Sequence, residues 1–317
     1  MSAARDDAGQ CANITALMDT VTVVVPTIGR VAGLRRLLEA LARQDPPVPW
    51  DALVVDNAPQ PRIPAIAAEL DRHRLTGRVV RESRPGAARA RNLAIAEATG
   101  TIVAFVDDDV VPEVGWLAAL VEPITARRCE VTGGRVRLDP RIPLPPWLRP
   151  PLPALLSHYE RPAPEHELEP GDYVLTANAA ARTELLRRCG GFDLELGPRP
   201  GVQITNDDVA LCRAVQGAGA SIRYVPEAVV VHAVPPERLR RRWVVGRCWS
   251  QGRSDWLLDR ADLQHRHPGS AIQFLGSTAR EVVGTVQRVR RDPGTPTRLA
   301  CALARGAGAL AEWSRRR

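Results

Sequence analysis

Apolar residues in this chain arrive in short runs that each stop at a polar residue, separated by longer stretches of helical period. Val21-Thr22-Val23-Val24-Val25 is β-branched and apolar until Pro26-Thr27-Ile28-Gly29-Arg30 breaks it, which predicts a buried strand and its loop. Leu34, Leu37, Leu38 and Leu41 recur at helical spacing, and the prolines at 46, 47 and 49 end that helix. A second strand is expected at Ala52-Leu53-Val54-Val55, closing on Asp56-Asn57, then a helical stretch from Ile63 to Leu75 and a short strand at Val79-Val80. Arg84-Pro85-Gly86 leads through Ala90-Arg91-Asn92 into an Ala-rich helix ending near Gly100. Ile102 to Val106 is a continuous apolar run that enters three successive carboxylates, Asp107, Asp108 and Asp109. Such a run reads as a strand buried on both faces. Strands alternating with helices predict a parallel, doubly wound α/β sheet whose strand ends share one crevice.

Residues 139–170 carry ten prolines, too dense for a central strand or helix, and predict a long functional loop. Regular structure is expected again at Tyr173 to Asn178, followed by a helix from Arg182 to Arg188 and a turn at Gly190-Gly191-Phe192-Asp193. Thr205-Asn206-Asp207-Asp208 precedes a further helix, and a strand at Ala228 to Val231 ends in His232. Beyond Pro236 the chain is Arg-rich and helical in pattern, with a Gly/Ser break at residues 250–254. The expected organisation is a disordered leader over 1–19, with Met18 an alternative start, a catalytic domain over 20–235 and a helical extension over 236–317.

Composition changes little. The length of 317 residues, with 44% hydrophobic and 25% charged residues, is that of a globular protein of one large domain with an appendage or of two modest domains. The net charge of +7 is carried by arginine alone and reads as genome codon bias rather than function. Six scattered cysteines show no C-x-x-C pair, which argues against a zinc site or disulfide framework. No basic segment with an apolar core opens the chain and no uncharged apolar run is long enough to span a bilayer, so a cytoplasmic protein is expected.

The acid triplet is the chemical focus. Adjacent carboxylates repel unless a cation offsets them, and a hard divalent ion is their natural partner. Along an extended chain Asp107 and Asp109 share a face while Asp108 points elsewhere.

The ordered set Val21–Val25 with Pro26-Thr27, strand-end Asp56, Gly86 with Ala90-Arg91-Asn92, Asp107 to Asp109, Gly191-Phe192-Asp193, Asp207-Asp208 with Leu211 and Arg213, and His232 resembles the inverting family 2 glycosyltransferases of GT-A fold. The resemblance covers roughly residues 20–234. It implies a GT-A nucleotide-diphospho-sugar transferase fold, a mostly parallel Rossmann-like sheet, with a C-terminal helical extension. It also implies a nucleoside-diphosphate sugar donor held by Pro26, Thr27, Asp56, Arg84, Gly86, Arg91, Asn92, Asp107 and Asp108, with Asp56 accepting an N–H of a uridine or thymidine base. Mn²⁺ or Mg²⁺ would be held by Asp109, Asp107 and His232, and Asp208 would be the general base. Opening a helix, Asp208 is expected to be favoured in its ionised form by the backbone there, with N-capping as its structural alternative.

The chain departs from the family where Asp207 replaces the usual Glu, where Asn57 replaces a second acid after Asp56, and where only Arg241-Arg242-Trp243 remains of the processive Gln-x-x-Arg-Trp segment; single transfers are expected. The acceptor is a glycan, a lipid-linked sugar or a small molecule. Trp147, His158 and Tyr159 of the Pro-rich loop are expected to form part of its wall, and for the basic tail from Ala271 onward two readings stand, packing against the catalytic domain or peripheral contact with an anionic membrane. Two rivals stand behind this reading. A haloacid-dehalogenase-type phosphatase would use Asp107 as nucleophile but needs a later lysine, which the chain lacks. An Arg-rich nucleic-acid module would use residues 238–247, yet no recognised motif accompanies them, so no nucleic-acid partner is expected.

Overall fold

The computed structural model describes residues 18–161, 164–264 and 294–315. A single nine-stranded sheet runs in the order β3-β2-β1-β4-β8-β6-β9-β5, with β7 paired to β9 off that path. Its strands are β1 (Val21–Thr27), β2 (Trp50–Asp56), β3 (Gly77–Arg81), β4 (Ile102–Val106), β5 (Val110–Pro112), β6 (Val131–Leu138), β7 (His166–Glu167), β8 (Asn178–Arg182) and β9 (Ile222–His232). Strands β1 to β4, β6 and β9 share one direction; β5, β7 and β8 oppose it. The sheet is therefore mixed but mostly parallel.

Alternation along the central strands divides the core into two layers, because successive side chains leave opposite faces. Val21, Val23 and Val25 pack with Leu34, Leu37, Leu38 and Leu41 of α1 (Val31–Leu41), with α2 (Ile63–Arg72) and with α4 (Trp116–Thr125). Val24, Leu53 and Phe105 face α3 (Ala87–Glu97), α5 (Thr183–Arg188) and α6 (Asp207–Gly217). Thr27 lies opposite Asp56 across β1 and β2, and β9 ends at His232 against Leu138 and Val110. These registers bring Thr27, Asp56, the acid turn after β4 and His232 to one edge.

Several expectations change. Strand β6 has no apolar run to announce it, since Thr132, Gly133, Gly134, Arg135 and Arg137 interleave its valines; a Cβ on Gly133 would lie 2.2 Å from the Val174 side chain, so the strand depends on close approach rather than on packing area. The segment from Tyr173 to Ala177 is loop and turn, with strand pairing beginning only at Asn178. Asp19, assigned to the leader, is anchored by Arg182 and Arg127; residues 1–17 lie outside the described residues. The Pro-rich loop is ordered by its own apolar residues: a 3₁₀ turn at Leu152–Leu156 buries Leu152 and Leu156 against Val244, Cys248 and Cys301.

Those partners belong to α7 (Arg241–Gln264) and α8 (Thr295–Arg315). The expected Gly/Ser break does not interrupt α7. Gly252 is the point where the two helix backbones meet, a Cβ there falling 1.8 Å from the Arg305 carbonyl, and Gly308 is the reciprocal point against the Trp249 carbonyl at 2.0 Å. The extension is thus packed on the domain rather than appended to it. Among the described residues no helix is long and apolar enough to cross a membrane, and residues 271–293 of the basic tail lie outside them.

Candidate active site

Arg91 stands at the centre of the crevice. Its guanidinium is buried, donates from Nη1 to Asp207 Oδ2 at 2.7 Å and from Nη2 to Asp107 Oδ1 at 2.8 Å, and lies 5.5 Å from the centroid of the Phe192 ring. Burial alone would favour the neutral form, but the Asp107, Asp207 and Asp208 carboxylates outweigh it and hold Arg91 well above the ordinary arginine range. Two carboxylates engage the fork, while Nε, also buried, has no hydrogen-bond partner among the described residues. Asn92, the next residue, is a structural clip, its side-chain amide donating to the Phe192 carbonyl and accepting from the Phe192 N–H. A Cβ on Gly191 would lie 2.4 Å from Asn92 Oδ1, which accounts for the glycine there.

The acid turn splits in a way that alternation did not foresee. Asp107 is claimed by Arg91, whereas Asp108 and Asp109 share Arg30, at 3.2 and 2.5 Å. Asp108 is buried and accepts a 2.6 Å hydrogen bond from Thr27 Oγ1. Burial, with the charges of Asp109 and Asp107, pushes its carboxyl up to about 6 against the pull of Arg30 and Thr27. Burial would also raise Asp109, but a hydrogen bond and charge from His232, with Arg30 and Arg238, carry it well below the usual carboxylate range. His232 Nε2 lies 3.7 Å from Asp109 Oδ2, and its Nδ1 is 2.8 Å from the Leu156 carbonyl. A carbonyl only accepts, so Nδ1 carries the proton. Asp107 does not join this pair: among the described residues no three His, Cys, Asp or Glu side chains cluster as a metal site.

Asp56 is fully buried, and its carboxylate accepts from the amides of Ala58 at 3.1 Å and Arg62 at 2.6 Å while pairing with Arg81 at 3.1 Å. Through these contacts it holds the loop after β2. Asn57, noted in the sequence only as a departure, is the working residue of that loop: it donates to the Glu82 and Arg84 carbonyls and accepts from the Gly86 N–H. This clip sets Gly86, at φ +139°, as the cap of α3. Arg84 stands at the rim, paired with Glu82, and Pro26 is half-buried in β1 opposite Val55.

On the far wall, α6 begins at Asp207 with Asn206 as its cap residue, so Asp208 is not the N-cap. One oxygen of Asp208 accepts from both the hydroxyl and the amide of Thr176. The expectation of an easily ionised helix-start acid is reversed: burial and the neighbouring Asp207 push Asp208 up to about 7, outweighing Arg91 and Thr176. Thr176 and Arg30 are the contacts the sequence reading missed. Arg30 was visible as a cation immediately after a broken strand; Thr176 gave no signal. In the expected acceptor loop, Tyr159 donates to the Tyr173 carbonyl, His158 Nδ1 faces the Val136 carbonyl and Trp147 lies under Arg241, so these groups chiefly hold the loop together.

A parallel-sheet crevice with an acid turn on one wall and an acid-headed helix on the other defines the architecture of a GT-A nucleotide-sugar transferase. The chain belongs to Glycosyl transferase family 2, whose family model matches residues 22–187. It is similar to the glycosyltransferase AglE of Haloferax volcanii, with 24% identity over 94% of this chain and 97% of that one. It is 30% identical to the pre-mycofactocin glycosyltransferase of Mycobacterium tuberculosis over 80% of this chain, which spans half of that protein. Among solved structures, the mannosyltransferase PcManGT of Pyrobaculum calidifontis, in complex with GDP-Man and Mn²⁺, superposes with a TM-score of 0.60 at 20% identity, covering 92% of this chain and 87% of that one. S. aureus TarS residues 1–349 with UDP gives 0.52 at 18% identity over 94% and 91% of the two chains. These structures share the fold. Membership sets aside the phosphatase rival.

Thr176 stabilises the charged form of Asp208 by donating to it, so Thr176→Val, which removes the hydroxyl and keeps the shape, should raise the Asp208 pKa above about 7. Activity that needs the carboxylate then appears only at higher pH. The acid limb of the pH–rate profile is expected to move up in Thr176→Val; an unmoved limb would mean that Asp208 is not the group it reports.

Proposed function

We propose that this glycosyltransferase moves a sugar from a nucleoside-diphosphate sugar to an acceptor hydroxyl in a single inverting displacement, with Asp208 as the general base. The observation that carries the reading is the pair of carboxylates at α6: Asp207 is buried and ion-paired to Arg91, while Asp208 is less buried, accepts from Thr176 through one oxygen, has no hydrogen bond to its other oxygen among the described residues, and has a pKa of about 7. A base poised near the working pH combines the deprotonated state with useful proton affinity. Asp208 takes the acceptor hydroxyl's proton as the oxygen attacks the anomeric carbon and the bond to the diphosphate breaks on the opposite face.

Asp109 and His232 fit a divalent cation. His232 holds Nδ1 on the Leu156 carbonyl and places Nε2 3.7 Å from Asp109 Oδ2, so loss of the Nε2 proton would free that nitrogen to share a cation with Asp109. Two protein ligands with phosphate oxygens completing the shell suit Mn²⁺ or Mg²⁺. When bound, that ion supplies Lewis-acid neutralisation of the leaving diphosphate. Arg30, half-exposed and bonded to Asp108 and Asp109, is the side chain placed to exchange those carboxylates for donor phosphate.

Asp208→Asn keeps the shape and the ability to accept from Thr176 but cannot take a proton. Its turnover is expected to fall by about 10² to 10⁴ with donor binding and melting temperature close to wild type; near-wild-type turnover would move the base elsewhere. For the ion, EDTA is expected to abolish transfer and Mn²⁺ to restore it, and Mn²⁺ affinity measured by electron paramagnetic resonance should drop in His232→Ala. Asp109→Ala is also expected to cost about 1–3 kcal/mol of stability, since that carboxylate is favourably paired rather than merely repelled by its neighbours. Full transfer in excess chelator would contradict the metal assignment.

A further inference from the structure

Asn206, the residue before the two helix-heading acids, has φ +70°, in the left-handed region that non-glycine residues seldom occupy. It is held there from outside the catalytic domain. Gln251 Nε2 of α7 donates to Asn206 Oδ1 at 2.8 Å, and Asn206 Nδ2 donates to Asp255 Oδ1 at 3.0 Å. The same Gln251 nitrogen donates to Asp255 Oδ1 at 2.8 Å, and Arg305 of α8 donates to Asp255 Oδ2 at 2.6 Å. One residue earlier, the Thr205 N–H donates to the fully buried Ser254 hydroxyl at 2.9 Å, which in turn donates to the Ser250 carbonyl. Gln251, Ser254 and Asp255 are spaced i, i+3, i+4 and so share one face of α7. That face is polar where a packing helix is normally apolar, and its hydrogen bonds go to the two residues on which the direction of Asp207 and Asp208 depends.

We infer that Gln251 and Asp255 are positioning residues for glycosyl transfer: by pinning Asn206 in the left-handed conformation, the C-terminal extension fixes where the Asp208 carboxylate points. The inference rests on Asp208 being the base. Asn206 cannot be replaced by free rotation of the turn, because its amide is matched at both ends, its oxygen to a donor and its nitrogen to an acceptor. Apolar contact between Leu257 and the pair Leu196 and Ile204 keeps α7 seated beside the turn without any part in orienting it. A displacement of about 1 Å at a reacting group can cost on the order of 10²-fold in rate, so loss of this orientation should be visible in turnover.

Two variants separate positioning from folding. Asn206→Gly retains a residue that readily adopts positive φ and removes both anchoring bonds; Gln251→Ala removes the donor from the other side. Two measurements on the full chain decide. Hydrogen–deuterium exchange of the peptide covering residues 204–209 needs no substrate, and it should accelerate several-fold in both variants with the melting temperature little changed. Turnover is then read from released nucleotide, with whichever of UDP-glucose, UDP-N-acetylglucosamine or GDP-mannose the wild type consumes in Mn²⁺. Here kcat should fall at least tenfold while donor KM stays within about twofold. Unchanged exchange in Gln251→Ala would overturn the anchoring, and faster exchange with unchanged kcat would overturn its catalytic role. If the wild type consumes none of these donors while exchange still accelerates, the anchoring stands and the transfer reading is what has failed.

Discussion

A buried guanidinium must be paired, and in this protein the two partners of Arg91 come from opposite walls of the crevice. Asp107 lies 16 residues away at the end of β4, and Asp207 lies 116 residues away at the head of α6. Because one planar fork binds both carboxylates, the distance between the acid turn and the acid-headed helix α6 is set by the width of a single side chain. Phe192 covers the guanidinium face, and Asn92 fixes Phe192 through its backbone, so α3 carries the tie and holds the ring that covers it.

The remaining carboxylates of the crevice differ in character because their partners differ. Asp109 is pulled down by His232 and the arginines, Asp108 is pushed up by burial, and Asp208 is pushed toward neutrality by burial beside Asp207. The five acids of the acid turn and the head of α6 divide into two paired with Arg91, two sharing Arg30, and Asp208, which accepts from Thr176.

The sheet was legible because its buried strands are apolar runs that end at polar residues, and the strand-end acids, Thr27 and His232 do converge at one edge. Roles were less legible than positions. Asp56, Arg91 and Asn92 carry the right chemistry for ligand binding, and each also makes hydrogen bonds within the protein that sequence cannot show, because it does not reveal which partner a buried polar group will meet. Strand β6 was hidden because its glycines admit close neighbours instead of presenting apolar area. Helix α7 looked broken at Ser250 to Ser254 for a related reason: Gly252 makes room for α8, while Gln251, Ser254 and Asp255 form hydrogen bonds where periodicity looks for apolar contact.

The tie through Arg91 is tested most directly by denaturant unfolding of Arg91→Met, Asp207→Asn and the double variant at neutral pH. Removing the guanidinium leaves two carboxylates facing each other without their cation, so Arg91→Met is expected to lose about 3 to 5 kcal/mol, and the double variant to lose clearly less than the sum of the two single losses. A loss below about 1 kcal/mol in Arg91→Met, or strict additivity in the double variant, would show that the two walls of the crevice are held together by something other than this arginine.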